Sequence, residues 1–254
     1  MIFETHGHYD DEQFDCDRDS LLKDFFENDI RYVMNIGANM ETSKSSVRLA
    51  KEYEHVYAAI GTHPSDTDEM SEEYIEKYRE MAAFEKVKAI GEIGLDYHYE
   101  DTNKEVQQHW FKRQLELAAE VGLPVVIHSR EAAKDTMDIM KEMHAEKIGG
   151  VIHCFSYSKE TAREYIKMGF YIGIGGVVTF SNSKKLKEVV ADIPLNSIVL
   201  ETDSPYLAPV PFRGKRNTAL NIPYVAKEIA EIKNISVDEV YDVTFQNGIK
   251  LYRL

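Results

Sequence analysis

Cysteine is nearly missing from this chain: Cys16 and Cys154 are the only two in 254 residues, and no CxxC pair occurs. That excludes a disulfide framework and a thiolate zinc site, and points to a reducing compartment. Long apolar runs are missing too. No stretch approaches the roughly 20 apolar residues that span a bilayer, and the opening MIFETHGHYDDEQFD has neither the basic nor the apolar region of a secretory leader. The expectation is a cytoplasmic protein with no membrane attachment, and nothing in the sequence signals an obligate protein partner. Positive charge is in deficit, with 30 Lys and Arg against 44 Asp and Glu and a formal net charge of −14. Broad electrostatic attraction to nucleic acid or anionic lipid is therefore excluded, and any phosphate contact must be local.

What is present is an ordinary core. Hydrophobic residues make up 43% of the chain, among them 11 Phe and 15 Tyr, enough for a folded domain. Short β-branched runs recur at Ile2 to Glu4, Tyr32 to Ile36, Val56 to Ile60, Ala89 to Ile93, Val125 to His128, Val151 to His153, Tyr171 to Ile174 and Ile198 to Glu201. Between and after them, Arg18 to Glu27, Ser43 to Lys51, Ser71 to Phe84, Glu105 to Glu120, Ala132 to Met143, Glu160 to Met168, Lys184 to Val190 and Ile222 to Ile232 carry helical periodicity. Gly122-Leu123-Pro124 and Gly169 mark helix stops. Repeated βα units without a linker predict an α/β fold, a (β/α)8 TIM-type barrel in one domain over residues 1–254, with sites at the carboxyl ends of the strands.

At those ends stand His6 and His8, His63, Glu92, His128, His153 and Asp203. Taken alone, each histidine reads as a hydrogen-bonded core residue and Asp203 as a turn former. Together they read as a metal site. Positions i and i+2 of a strand share a face, so His6 and His8 can reach one ion, with Gly7 leaving room between them. Glu92 lies in an apolar strand between glycines, where a buried carboxylate needs a partner or an ion. A set of nitrogen and oxygen donors without thiolate suits Zn, Mn, Co or Ni and tolerates Mg at the carboxylates; the metal's identity is not readable.

The segments THGHYD at 5–10, GTHP at 61–64, AIGEIGLDYH at 89–98, PVVIHSR at 124–130, GVIHCFS at 150–156, YIGIGGVVTF at 171–180, LETDSPYLAP at 200–209 and RGKRN at 213–217 resemble the TatD family of metal-dependent deoxyribonucleases, a branch of the amidohydrolase-like barrels. The resemblance runs from Phe3 to about Leu251. It implies two divalent metal ions per chain, one held by His6, His8, Glu92 and Asp203, the other by Glu92, His128 and His153. It further implies that His63 and Arg130 meet substrate phosphate. Two positions depart from the family pattern. Glu4 stands where Asp is usual, and Thr218-Ala219 where Glu-Pro is usual. The longer arm of Glu4 is expected to disturb the support around His6, so that Glu4→Asp should bind metal at least as well.

Paired ions that activate a water and clamp the oxygens of an in-line displacement suit phosphodiester hydrolysis, with Asp203 and Glu92 as catalytic carboxylates and Asp203 managing the proton. The substrate the resemblance implies is nucleic acid, in particular single-stranded DNA ends. Tyr97, Tyr99, Tyr157, Tyr206 and Phe212 could stack bases, and Arg213 to Arg216 could touch a backbone; rim packing and a solvated loop explain them as well. The same water attacks carbonyl carbon, so a two-metal amidohydrolase or an esterase, including one acting on aminoacyl-RNA esters, is the alternative. A metal-binding adaptor would show gaps among the ligands, and none is seen.

Overall fold

A computed structural model describes residues 1–99 and 101–254. Eight strands, β1 (Ile2–Gly7), β2 (Ile30–Ile36), β3 (Val56–Ile60), β4 (Val87–Asp96), β5 (Val125–Arg130), β6 (Gly150–Ile152), β7 (Phe170–Ile174) and β8 (Ile198–Leu200), form one sheet in chain order. Every neighbouring pair from β1 to β8 is parallel. Helices α1 (Arg18–Glu27), α2 (Met40–Glu52), α3 (Glu72–Ala82), α4 (Lys104–Val121), α5 (Ala133–Glu142), α6 (Lys159–Lys167), α7 (Lys184–Asp192), α8 (Ile222–Lys233) and α9 (Val237–Tyr252) complete it. The expected (β/α)8 barrel is what forms.

Local chemistry sets the boundaries. Asn39 accepts hydrogen bonds from the N–H groups of Glu41 and Thr42, while the Thr42 side chain accepts from the Asn39 N–H. This reciprocal cap starts α2 three residues before the expected Ser43. Gly122 ends α4 in the left-handed region at φ 70°, as its position in the sequence suggests.

Closure is unequal around the barrel. Among the described residues, β1 and β8 form no ladder; Gly7 bridges Ser204, beyond the end of β8, where the His8 N–H donates to the Ser204 carbonyl at 2.8 Å and the Asp203 N–H to the His6 carbonyl at 2.9 Å. Side chains finish the seam. The Glu4 carboxylate accepts from the His6 and Thr202 N–H groups at 3.1 and 3.0 Å, Thr5 donates to the Leu200 carbonyl at 2.8 Å, and Asn247 donates to the Ile198 carbonyl at 2.7 Å.

The sequence pattern stops at Ile232, and α9 was not anticipated. Its Phe245, Leu251 and Tyr252 pack with Phe3, Met34, Ala59, Ala89, Val126, Val151 and Val199, one small core drawn from seven strands. A larger core lies between the strands and the surrounding helices. The helix therefore plugs the end of the barrel opposite the site. No helix among the described residues is long and apolar enough to cross a membrane.

Candidate metal centre

The strands deliver their polar residues to one open cleft of about 680 Å³, lined by His8, His63, Glu92, His128, Arg130, His153 and Asp203. His6 is fully buried beside it. All eight residues singled out in the sequence thus come together at the carboxyl end of the barrel.

Glu92 organises the group. Its Oε2 lies 3.5 Å from His6 Nε2 and 3.9 Å from His8 Nε2. Its Oε1 lies 2.6 Å from His153 Nε2 and 2.9 Å from His128 Nδ1. Asp203 Oδ1 is 3.6 Å from His6 Nε2 and 3.5 Å from His8 Nε2, and those two nitrogens are 3.3 Å apart. Donors about 2.1 Å from one tetrahedral ion stand roughly 3.4 Å from each other, and the ring nitrogens of His6 and His8 and an oxygen of Asp203 stand close to that spacing.

Three of the rings are aimed by their other nitrogen, whereas Nδ1 of His6 and of His153 has no hydrogen-bond partner. His8 Nδ1 donates to the Ile36 carbonyl at 2.9 Å, which points its Nε2 toward Asp203. His128 Nε2 lies 3.3 Å from Asp96. His63 Nδ1 accepts from the Ser65 N–H at 3.1 Å, which puts its proton on Nε2, 4.0 Å from Glu92. The rings of His6 and His153 stack at 3.8 Å. Two corners of the site, Cys154 at φ 44° and Asp203 at φ 58°, hold the left-handed backbone that non-glycine residues seldom adopt.

The electrostatics are those of a cation cage. Burial opposes charge on His153, but Glu92 and Glu201 lift it to about 10; burial likewise opposes His8, which Asp203 lifts to about 9. Burial, reinforced by His153, takes His6 down to about 4, and burial with His128 takes His63 down to about 3. Burial would raise Glu92, yet the surrounding imidazoles hold it well below the usual carboxylate range. Clustered carboxylates that draw protons onto two imidazoles will accept a divalent ion in their stead.

Several sequence expectations change. Gly7 makes room for the Tyr9 ring, which a Cβ would meet at 2.7 Å, and not for the imidazoles. Glu4 does not touch the His6 ring; it clips backbone N–H groups on β1 and beyond β8, and burial pushes its carboxyl up to about 8. Tyr97 is held by Gln108 and Asp135, and Tyr157 by Ser129 and the Ala132 N–H. Phe212 packs on Tyr224. Of the five aromatics only Tyr99 and Tyr206 are exposed. Arg216 is committed to Asp17.

Two carboxylates were missed. Asp96 sits two turns of strand alternation beyond Glu92, and Glu201 two residues before Asp203. The same period of two that exposed the ligands marks both.

A family model described as TatD related DNase matches residues 3–253. The chain is 44% identical over 254 residues to the uncharacterized metal-dependent hydrolase YabD of Bacillus subtilis (strain 168), covering 100% of both. It is 34% identical to the uncharacterized metal-dependent hydrolase YcfH of Escherichia coli (strain K12), covering 100% of this chain and 96% of that one. The fold matches the crystal structure of YJJV, a TatD homologue from Escherichia coli K12, with a TM-score of 0.94 at 30% identity over 100% of this chain and 98% of the other. With an eight-stranded barrel, a clustered His/Glu/Asp site and these relatives in agreement, the chain belongs to the TatD-related DNase family and is a metal-dependent hydrolase.

Proposed function

We infer that the chain hydrolyses phosphodiester bonds at single-stranded DNA ends with two divalent ions. The observation that carries this reading is the division of Glu92: Oε2 faces His6 and His8, with Asp203 beside them, and Oε1 faces His128 and His153. His6, His8, Glu92 and Asp203 would hold one ion; Glu92, His128 and His153 the other. When bound, the ions supply Lewis acidity, acidifying a nearby water and neutralising charge on the phosphoryl oxygens.

The chain's own groups do the rest. Asp203, one-fifth exposed to the cleft, accepts the proton of the attacking water. His63, neutral with its proton on Nε2, donates to a non-bridging oxygen. Arg130, nearly half exposed and 4.0 Å from Asp96, supplies a charged fork for the phosphate. The acidic whole leaves attraction to this local cluster. The family's name supports DNA as the substrate.

The test is a metal titration of apo-protein followed by elemental analysis and by cleavage of end-labelled single- and double-stranded DNA, with a carboxylic ester panel in parallel. We expect two ions per chain and faster loss of single-stranded ends. A folded, saturated preparation that never exceeds one ion, or that cleaves only esters, overturns the reading.

A further inference from the structure

The loop after β8 carries apolar side chains into solvent at the rim of the metal cleft. Tyr206 is 52% exposed and Leu207 38%, and both line the cleft together with Asp203. Single exposed apolar residues are ordinary on a protein surface. Two in succession, three and four residues past a candidate ligand, call for a partner.

Their placement is fixed from several sides. The Tyr206 N–H donates to the Asp203 carbonyl at 2.8 Å, closing a turn that keeps the two Cα atoms within roughly 7 Å. At the far end of the side chain, Tyr206 Oη donates to Asp11 Oδ2 at 3.1 Å. Held at its backbone and at its tip, the ring is preorganised while half of the residue stays open. Leu207 has left-handed backbone at φ 53°, a conformation that persists in a leucine only where its surroundings enforce it. Gly176 makes room for it, since a Cβ there would stand 2.1 Å from the Leu207 carbonyl oxygen.

Charge decides which partner fits. Arg130 is the only lysine or arginine among the described residues that line the cleft, and it ends β5, three strands round the barrel from β8. On the Tyr206 side stand Asp10 and Asp11. A phosphate backbone is drawn toward Arg130 and repelled from this side, which leaves the rim to the flat, uncharged part of a nucleotide. We propose that Tyr206 and Leu207 form a platform for a nucleobase flanking the scissile phosphate, with the base stacked on the Tyr206 ring and resting against Leu207. Aromatic stacking accepts any base, because each has a π-face. In a duplex those faces are covered by neighbouring pairs, and uncovering one costs unstacking, so the platform selects single-stranded ends. It rests on the phosphodiester reading given above.

The experiment uses the metal-reconstituted full chain and single-stranded oligonucleotides of one sequence, in which the residue on either side of the terminal phosphodiester carries its base or is abasic. Loss of the base at one of these two positions should lower kcat/KM by about tenfold, chiefly through KM, within the range that one stacked base gives. Tyr206→Ala should bring the ratio of base-bearing to abasic cleavage toward unity. Tyr206→Phe, which keeps the ring and loses the bond to Asp11, should retain the ratio. Each readout is a ratio within one variant and does not depend on its yield of active protein. Should Tyr206→Ala be inactive, Leu207→Ala decides by the same ratio, which should fall. Equal cleavage of base-bearing and abasic ends by the unaltered protein, an unchanged ratio in the deciding alanine variant, or a Tyr206→Phe variant whose ratio is lost overturns the platform while leaving the nuclease reading intact. Failure to cleave any DNA end overturns both.

Discussion

On the mechanism proposed above, Asp203 combines ligation with proton acceptance, tasks that an amide cannot share, since asparagine keeps the shape but loses charge and basicity. Asp203→Asn should cut hydrolysis by more than the roughly 10²- to 10⁴-fold that a general base contributes, with circular dichroism unchanged. His153→Ala, which leaves the proton acceptor in place, should recover part of its loss when metal is raised. Equal behaviour of the two variants over a metal titration would reduce Asp203 to a turn residue. Glu4 reverses a sequence expectation. Its Oε1 spans the N–H groups of His6 and Thr202, and its Oε2 accepts from Tyr9 Oη at 3.3 Å, a reach that aspartate lacks. Glu4→Asp should therefore weaken metal binding by roughly 10-fold, the usual scale for an outer support, as isothermal titration would record. The candidate ligands Glu92, His128 and His153 were legible because each is a polar residue set against an apolar run. The role of Glu4 was not, because it depends on which strand lies across the seam. The second departure meets the first: Ala219 donates its N–H to Tyr9 Oη at 2.9 Å, which a proline there could not do.

At the scale of elements, the strands announced themselves by β-branched runs, whereas α9 hid behind residues that oppose helix formation. Asn247 and Gly248 lie in its middle, and both are poor helix formers. Tertiary structure requires them. Asn247 donates to the Leu195 and Ile198 carbonyls, and a Cβ on Gly248 would meet the Phe3 ring at 2.6 Å. Gly248→Ala, which raises intrinsic helix propensity, should thus destabilise the protein by about 1–3 kcal/mol through overpacking. Urea denaturation measures it; a gain in stability would show that the plug has slack.

For the molecule as a whole, a histidine outside the candidate site contributes to acid stability. His55 is 4% exposed, stacks edge-on against Phe26 at 4.0 Å, and is lowered by burial to about 4. The unfolded chain takes up this proton near pH 6.5 and the folded chain refuses it until about pH 4, so the unfolded state gains protons in that window. Stability from this site is whole above pH 6.5 and declines as pH falls to 4. His55→Gln should flatten the metal-free protein's pH–stability curve there, and an unchanged slope would exonerate His55. The fold class was readable from the sequence because eight similar units admit few arrangements; the seam was not, since closure is a relation between residues about as far apart as the chain allows. Tyr252 donates to the Thr5 carbonyl at 2.8 Å across 247 positions. During synthesis on the ribosome, β1 therefore emerges with its edge unsealed, and the contact that α9 makes across it is among the last to form. Nascent chains stalled ahead of Ser236 should remain protease-sensitive and free of metal, so that ion capture follows translation of the barrel and does not accompany it.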